Sequence, residues 1–459
     1  MKDKKPIRVA IIGAGPGGLV LAQTLRQDPR FSVTVYERGV RDGSGVSSLV
    51  GFRILLPPSI LDDLRSQLPA SVATLIDDAI GVPQAQGNRV AFMDEQCGII
   101  CRLDVQQSRD MCSVSRWKLR EALLHGAEEI VQFGKQFSSY EQLGGESGDV
   151  KVRFADGDEI ECDVLVGADG AGSKVRKLLL PNSQRSASGL TVVYFKAPFT
   201  PETEAMIPWK SGCVAITPRR SMVVAYYKDR RRPYGPYDLE KIDPADSFLM
   251  FGLGCYTNEF VNQSKHPDEM TPEELKDECL ARAKDWSPLL RALIALSVPS
   301  SVFVSHVKTQ DPIKPWESGR VTLLGDAAHR WVCPSQIAGE NETSVNQVDS
   351  MTPYLGKGAS SAMIDAMSLA KALKSEPKQG QGDFLKAQLS IYEEAMLKHG
   401  FEAARQSMTA QKFTFNAGDT PWKCWWRNLA LKAWDWWMSH PPAIEEDFPV
   451  SYSEMKKDV

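Results

Sequence analysis

Short runs of β-branched and other apolar residues, three of them ending at glycine, punctuate the chain and set its predicted elements. Ile7–Ile12 (IRVAII) reads as a buried strand, and GAGPGG follows it before the helical pattern LVLAQTLRQ. A second strand over Ser32–Tyr36 ends at Glu37. Further along, Val164–Val166 runs into Gly167-Ala168-Asp169-Gly170, and Val321–Leu324 runs into Gly325-Asp326. Between these lie strand-like stretches at Thr191–Phe199, Cys213–Thr217, Met222–Tyr227 and Phe248–Tyr256, two of them joined by the turn Pro218-Arg219-Arg220-Ser221. Helical spacing returns at Ala362, Ile364, Ala366, Leu369 and Ala370, then over Phe384–Gln406 after the polar linker SEPKQGQGD. A last helix carries Trp422, Trp425, Trp426, Leu429, Ala433 and Trp437.

The first of these units is a complete β-α-β pattern with chemical content. Gly13 permits a tight turn, Gly15 lets backbone approach a pyrophosphate, and Gly18 lets helix and strand pack closely. The helix N-terminus offers unpaired N–H groups and the positive end of its dipole to phosphate. Glu37, 19 positions beyond the third glycine, suits a pair of ribose hydroxyls. A dinucleotide is the expected ligand, and this motif alone does not choose between NAD and FAD.

Composition narrows the setting. At 459 residues the chain is expected to form two or three lobes, and 42% hydrophobic with 24% charged residues is the balance of a soluble globular protein. Fifty-four basic against 58 acidic side chains give −4, so nucleic acid is not an expected partner. Cys97 and Cys101 form a lone C-x-x-x-C with no second pair or nearby histidine, so no metal site is expected. The odd count of nine cysteines and a glycine-broken N-terminal apolar run favour a reducing cytoplasmic setting over secretion. No uninterrupted apolar stretch is long enough to span a bilayer.

CDVLVGADGAGSKVR (162–176) and WESGRVTLLGDAAH (316–329), with GAGPGG, VSRWKLREALL (114–124) and GFRILLPPSILDDL (51–64), resemble the motif set of FAD-dependent aromatic hydroxylases. These are the class A flavoprotein monooxygenases of para-hydroxybenzoate hydroxylase-like fold. The resemblance implies a mixed α/β (α+β) fold, with a Rossmann-like FAD-binding domain, a β-sheet substrate domain and C-terminal helices. The implied FAD domain is discontinuous, over residues 1–85, 106–185 and 313–375. A β-rich substrate domain would take 86–105 and 186–312, and a helical region 376–459. By the same resemblance Gly13, Gly15, Gly18 and Glu37 bind the ADP half of FAD, with Arg38 near the adenine or ribose. Arg116 reaches the pyrophosphate region, or is a surface helix arginine. Asp326 holds the ribityl chain. Asp169 lies in a bend that touches FAD and bears on nicotinamide use, or only stabilises its own turn. Arg53 lies close to the flavin cleft. Pro353, Gly356 and Gly358 open a helix whose N-terminus points at the pyrimidine edge of the ring, although the family's usual Asn is replaced by Ser360 or Ser361. The implied reaction reduces FAD with NADPH or NADH. Oxygen from O2 then passes, through a flavin C4a-hydroperoxide, to an aromatic or alkene small molecule. Indole or alkene epoxidation in secondary metabolism, a flavin-binding protein without turnover, and a peroxide-releasing NAD(P)H oxidase are the competing readings.

The substrate side is less explicit. Some relatives clamp a phenol with an arginine and a tyrosine on the sheet; the matching positions hold Lys196 and Tyr226 or Tyr227. A solvent-facing Lys196 and ordinary strand packing of Tyr226 are the alternatives. The Trp-rich helix is expected to pack against the FAD domain or a partner subunit. Anchoring at a membrane surface is possible through its Trp, Lys and Arg residues but is not expected, since Asp435 lies among the tryptophans. Residues 330–350 interrupt an otherwise close family match between GDAAH and MTPYLGKGA. That insertion reads as a lid or substrate loop, a solvated bulge, or translated intron sequence.

Overall fold

The computed structural model describes residues 5–41, 52–83, 90–103, 110–143, 149–182, 185–209, 212–235, 238, 242–243, 245–310, 315–328, 357–376, 383–411 and 418–439. Two sheets organise them. The first has five parallel strands in the order Val321–Leu323, Val164–Gly167, Ile7–Ile12, Phe31–Glu37, Val131–Phe133. Its central strand is buried from Val9 to Ile12 and is followed by the fully buried helix Pro16–Leu25, so both faces of the sheet are covered, as parallel sheets require. The helix Lys357–Lys374 packs along Pro16–Leu25 and is held from behind by Phe384–Gln411. Tyr392 on that last helix donates its hydroxyl to the Leu323 carbonyl at 2.8 Å.

The second sheet has seven strands, ordered Phe303–Gln310, Arg185–Pro198, Phe248–Tyr256, Arg220–Tyr227, Cys213–Thr217, Val90–Met93, Ile99–Leu103. The four strands expected in the middle of the chain are all present. The turn between Cys213–Thr217 and Arg220–Tyr227 is a two-residue hairpin with Thr217 opposite Arg220. Arg219 takes φ +60 there, a conformation unusual for a side chain, and is held by stacking 4.2 Å over the Tyr256 ring and by an ion pair with Glu259. One face of this sheet, carrying Phe195, Ala197, Met222, Val224, Leu249 and Phe251, is covered by the helices Pro272–Arg282 and Pro288–Ala295. The other face looks toward the five-stranded lobe, where Tyr227 donates to the Ala79 carbonyl and Lys118 pairs with Asp229.

The Trp-rich segment forms a helix, Pro421–Ser439, with a different neighbour from the one expected. It docks on the edge strand Ile99–Leu103 of the seven-stranded sheet rather than on the lobe of the five-stranded sheet. The reason is specific: the Arg102 backbone N–H and guanidinium bond the two oxygens of Asp435 at 2.7 and 2.9 Å, and Leu431 packs on the apolar patch around Ile100 and Cys101. Among the described residues no helix is long and apolar enough to cross a membrane, and the eight described cysteines are free.

Candidate functional site

Parallel pairing brings together strand ends that are far apart in sequence. Ile12 lies opposite both Gly167 and Tyr36, and Gly167 lies opposite Leu323. The turns after these strands, 13–18, 167–172 and 325–327, therefore share one edge, where α/β sheets bind ligands. Glycine makes the approach possible. A Cβ on Gly13, whose φ is +112, would sit 2.4 Å from the Ala168 carbonyl oxygen. One on Gly18 would meet the Gly13 oxygen at 2.2 Å, and one on Gly17 the Ala362 oxygen at 2.8 Å. Gly325, at φ +57, faces the Ala362 Cβ at 2.6 Å and donates its N–H to buried Asp365 at 2.8 Å.

Gly15 differs from these. A Cβ there would meet nothing within 4 Å, and the same holds for Gly170 and Gly172. Gly15 is also the N-cap of Pro16–Leu25 and supplies no side-chain acceptor, so the helix begins with donors its own sequence does not satisfy. An open cradle beside uncapped N–H groups is what a pyrophosphate requires. Glu37 closes one side, accepting from the Ala14 N–H and the Gly39 N–H at 2.8 Å each, which ties the glycine turn to the second strand. Arg38 is exposed beside it.

Arg116 opens the helix Arg116–Leu124, capped by Ser115, whose hydroxyl accepts from the Lys118 N–H. Its side chain is half-buried; burial pushes the guanidinium below the usual value, and the Asp326 carboxylate raises it. Asp169 stabilises its own turn and keeps one oxygen available. Oδ2 accepts from the Lys174 and Val175 N–H groups at 2.7 and 3.4 Å, while Oδ1 is buried and has no hydrogen-bond partner among the described residues. Burial raises its carboxyl above the ordinary range. An orphaned buried oxygen at this edge suits a ligand that supplies a donor. Gly358 is half-buried in the first turn of Lys357–Lys374, and Ser360 turns its hydroxyl to the Leu55 carbonyl at 3.3 Å. Pro353, Gly356 and the 330–350 insertion lie outside the described residues.

On the inner face of the seven-stranded sheet stands Lys196. The solvent-facing alternative is wrong: the residue is 5% exposed, with Nζ 4.6 Å over the Phe248 ring and 5.4 Å over Phe52. Desolvation pushes its amine down to about 7. Around it Phe52, Tyr194 and Phe303 form an aromatic box with ring centroids 5.0 to 5.4 Å apart. Alternating polarity could not single out Tyr194, whose strand is buried on both faces from Leu190 to Pro198, and Phe52 lies just outside the strand Arg53–Leu56. Lys196 and Tyr226 are not brought together. Lys196 pairs with Met250 and Tyr226 with Leu249, adjacent positions that point to opposite faces. Tyr226 stacks on Phe199 at 5.0 Å within the outer core. It still feels the field of Arg53, which is enclosed densely enough that burial lowers its guanidinium to about 10.

Far from this crevice the fold gathers His266, Asp268 and His306, although no metal ligands were expected from spacing. His306 Nε2 lies 2.7 Å from Asp268 Oδ1. Ligands of one ion bound at about 2.0–2.1 Å stand about 3 Å or more apart, so this contact is a hydrogen bond rather than a coordination gap.

A crevice at the strand ends, of the kind that admits a dinucleotide, faced by a second sheet carrying an aromatic box, defines a two-lobed nucleotide-binding fold. Comparison with known proteins narrows the class. The family profile described as FAD binding domain matches residues 79–349, more than half of the chain, and that of the NAD(P)-binding Rossmann-like domain matches 11–56. The chain belongs to the FAD binding domain family, that of the FAD-dependent aromatic hydroxylases, and its cofactor is FAD. It is 26% identical over 459 residues to the dual O-methyltransferase/FAD-dependent monooxygenase elcB of Phaeosphaeria nodorum, covering 90% of this chain and 47% of that protein. The chain thus spans about half the length of that relative. It is 27% identical over 403 residues to salicylate hydroxylase of Pseudomonas putida, covering 81% of this chain and 79% of the relative. The crystal structure of Klebsiella pneumoniae HpxO complexed with FAD and uric acid shares its fold, with TM-score 0.69 at 20% identity over 93% of each chain.

Proposed function

We propose that this protein is a single-component FAD-dependent monooxygenase that uses NADPH or NADH and O2 to hydroxylate a small aromatic molecule. The observation that carries the reading is the convergence of three distant glycine turns at one strand edge, beside a sheet face built of aromatic rings and one buried amine. Bound FAD supplies the redox chemistry, taking hydride from the nicotinamide and activating oxygen. The chain's own residues would bind, orient and exclude water. Gly13, Gly18 and Gly325 let the backbone close in, and Gly15 with the Pro16–Leu25 N-terminus would take the pyrophosphate. Glu37 and Arg38 would contact the adenosine end, and Arg116 the phosphates. Asp326 would hold the ribityl chain and Asp169 the neighbouring bend. Pro353 would start the segment that flanks the ring, Gly356 and Gly358 would keep side chains away from it, and Arg53 would lie at the cleft.

Lys196 is the group assigned to the substrate. Phe52, Tyr194, Phe248 and Phe303 offer flat apolar contact and exclude water, and Nζ can accept a phenolic proton because burial holds much of it neutral near pH 7. Tyr226, on the opposite face, is assigned to packing. Strand pairing supports giving 86–105 and 186–312 to the substrate lobe, and 1–85, 106–185 and 313–375 to the FAD lobe. The odd count of nine cysteines favours a reducing, cytoplasmic setting.

The test uses the purified full chain. An oxidised-flavin spectrum is expected, with NADPH or NADH oxidation stimulated by phenolic or hydroxypyridine candidates and coupled to a hydroxylated product. Colourless protein that takes up no added FAD would overturn the reading. Peroxide release equal to nicotinamide oxidation with every candidate would reduce it to an oxidase.

A further inference from the structure

We propose that the Pro421–Ser439 helix lies on the surface of a membrane containing anionic lipid, with its indole face in the headgroup layer. Six of the chain's eleven tryptophans sit on these 19 residues. The helix has two unlike sides. The inner stripe, Cys424, Arg427, Leu431 and Asp435, recurs at helical spacing and faces the sheet edge, with Cys424 and Arg427 buried. The outer side presents Trp422 (68% exposed), Trp425 (53%), Trp436 (65%) and Trp437 (55%), with Trp426 and Leu429 between them. Three of the rings form a cluster, Trp422 stacked on Trp425 at 5.7 Å and Trp425 edge-on to Trp426 at 4.8 Å. An exposed apolar surface of this extent marks an interaction site.

Its chemistry selects lipid over protein. The helix carries a single acidic residue, Asp435, and the fold turns it inward onto Arg102. The residue that argued against a membrane in the sequence is thereby removed from the outer face. What remains there is indole interleaved with the exposed cations Lys423 and Lys432; Asp419, just before the helix, pairs with Lys423 at 3.1 Å. Tryptophan is enriched at subunit interfaces as well as at lipid headgroups, but lysine is depleted from such interfaces, and Lys423 and Lys432 stand exposed beside the indoles. Indole rings, apolar with one N–H donor, partition to headgroup depth, and lysines pair with anionic lipid there. Since no described helix is long and apolar enough to span a bilayer, the contact is superficial.

The experiment is flotation of the FAD-loaded full chain with vesicles of phosphatidylcholine alone or mixed with phosphatidylserine. Binding is expected to the mixed vesicles above the neutral ones and to weaken with salt. The triple variant Trp422→Ser, Trp425→Ser, Trp426→Ser should lower the bound fraction about tenfold or more while keeping its FAD content. Lys423→Glu with Lys432→Glu should reduce binding to the anionic vesicles only. Absence of flotation with both vesicle types would overturn the proposal. So would a light-scattering dimer that the tryptophan triple variant dissolves, because the face would then be a subunit interface.

Discussion

Replacing Lys196 by methionine should make the protein more stable near neutral pH, and the gain should vanish in alkali. The amine lies among Phe52, Phe248 and their neighbours, and among the described residues no hydrogen bond reaches Nζ. Burial lowers it from the ordinary 10.5 to about 7. The folded state therefore resists a proton that the unfolded chain binds readily, so stability rises with pH between about 7 and 10.5 and is flat below that window. The distance from 10.5 to about 7, at about 1.36 kcal/mol per pH unit, sets a ceiling of about 5 kcal/mol on the cost of the charged lysine. Side-chain relaxation and water entry reduce it, so we expect about 2–4 kcal/mol near pH 7. Methionine fills a similar volume without a charge. Urea denaturation of the FAD-loaded native chain and the Lys196→Met variant at several pH values between about 7 and 10 measures the difference directly. The variant's advantage should shrink steadily across that range. A constant offset, or a variant less stable at every pH, would refute the reasoning and mean that the amine has a partner stabilising its charge.

Two further outcomes separate packing from ligand contact. Gly13→Ala forces a Cβ to 2.4 Å from the Ala168 oxygen at φ +112, so the variant should lose both thermal stability and FAD. Gly15→Ala meets open space at an ordinary φ of −76; it should melt normally as apoprotein yet bind FAD at least about tenfold more weakly, as a fluorescence titration would reveal. Asp365→Ala leaves the buried Gly325 N–H without its acceptor and should lower the denaturation free energy by about 1–3 kcal/mol, whereas Asp365→Asn, which keeps an acceptor oxygen, should recover part of the loss.

The cofactor side was legible because its signals are local. A β-branched strand, a glycine turn and an amphipathic helix are each decided within a few residues, and the turns at Gly13, Asp169 and Asp326 announce themselves wherever they fall in the chain. Family motifs then state that they belong together, which periodicity alone could not. The substrate side lacked such contrast. Residues 190–198 and Phe248–Tyr256 are buried on both faces, so apolar residues occupy successive positions and no alternation marks the inner side. Tyr226 and Tyr227 differ by one place, and in a strand one place is the difference between the outer core and the face that looks at the FAD lobe.

What the amino-acid order determined by itself is therefore the inventory: strands of a parallel sheet, glycine turns able to admit a dinucleotide, and a helix crowded with tryptophan. Only the tertiary structure decided orientation. Strand register turned Lys196 inward and Tyr226 outward, and the hydrogen bonds from Arg102 turned Asp435 away from the indoles. The physical reason is common to both cases. Where every neighbour along the chain is apolar, burial supplies no local preference for one face, and the choice passes to contacts made by residues distant in sequence.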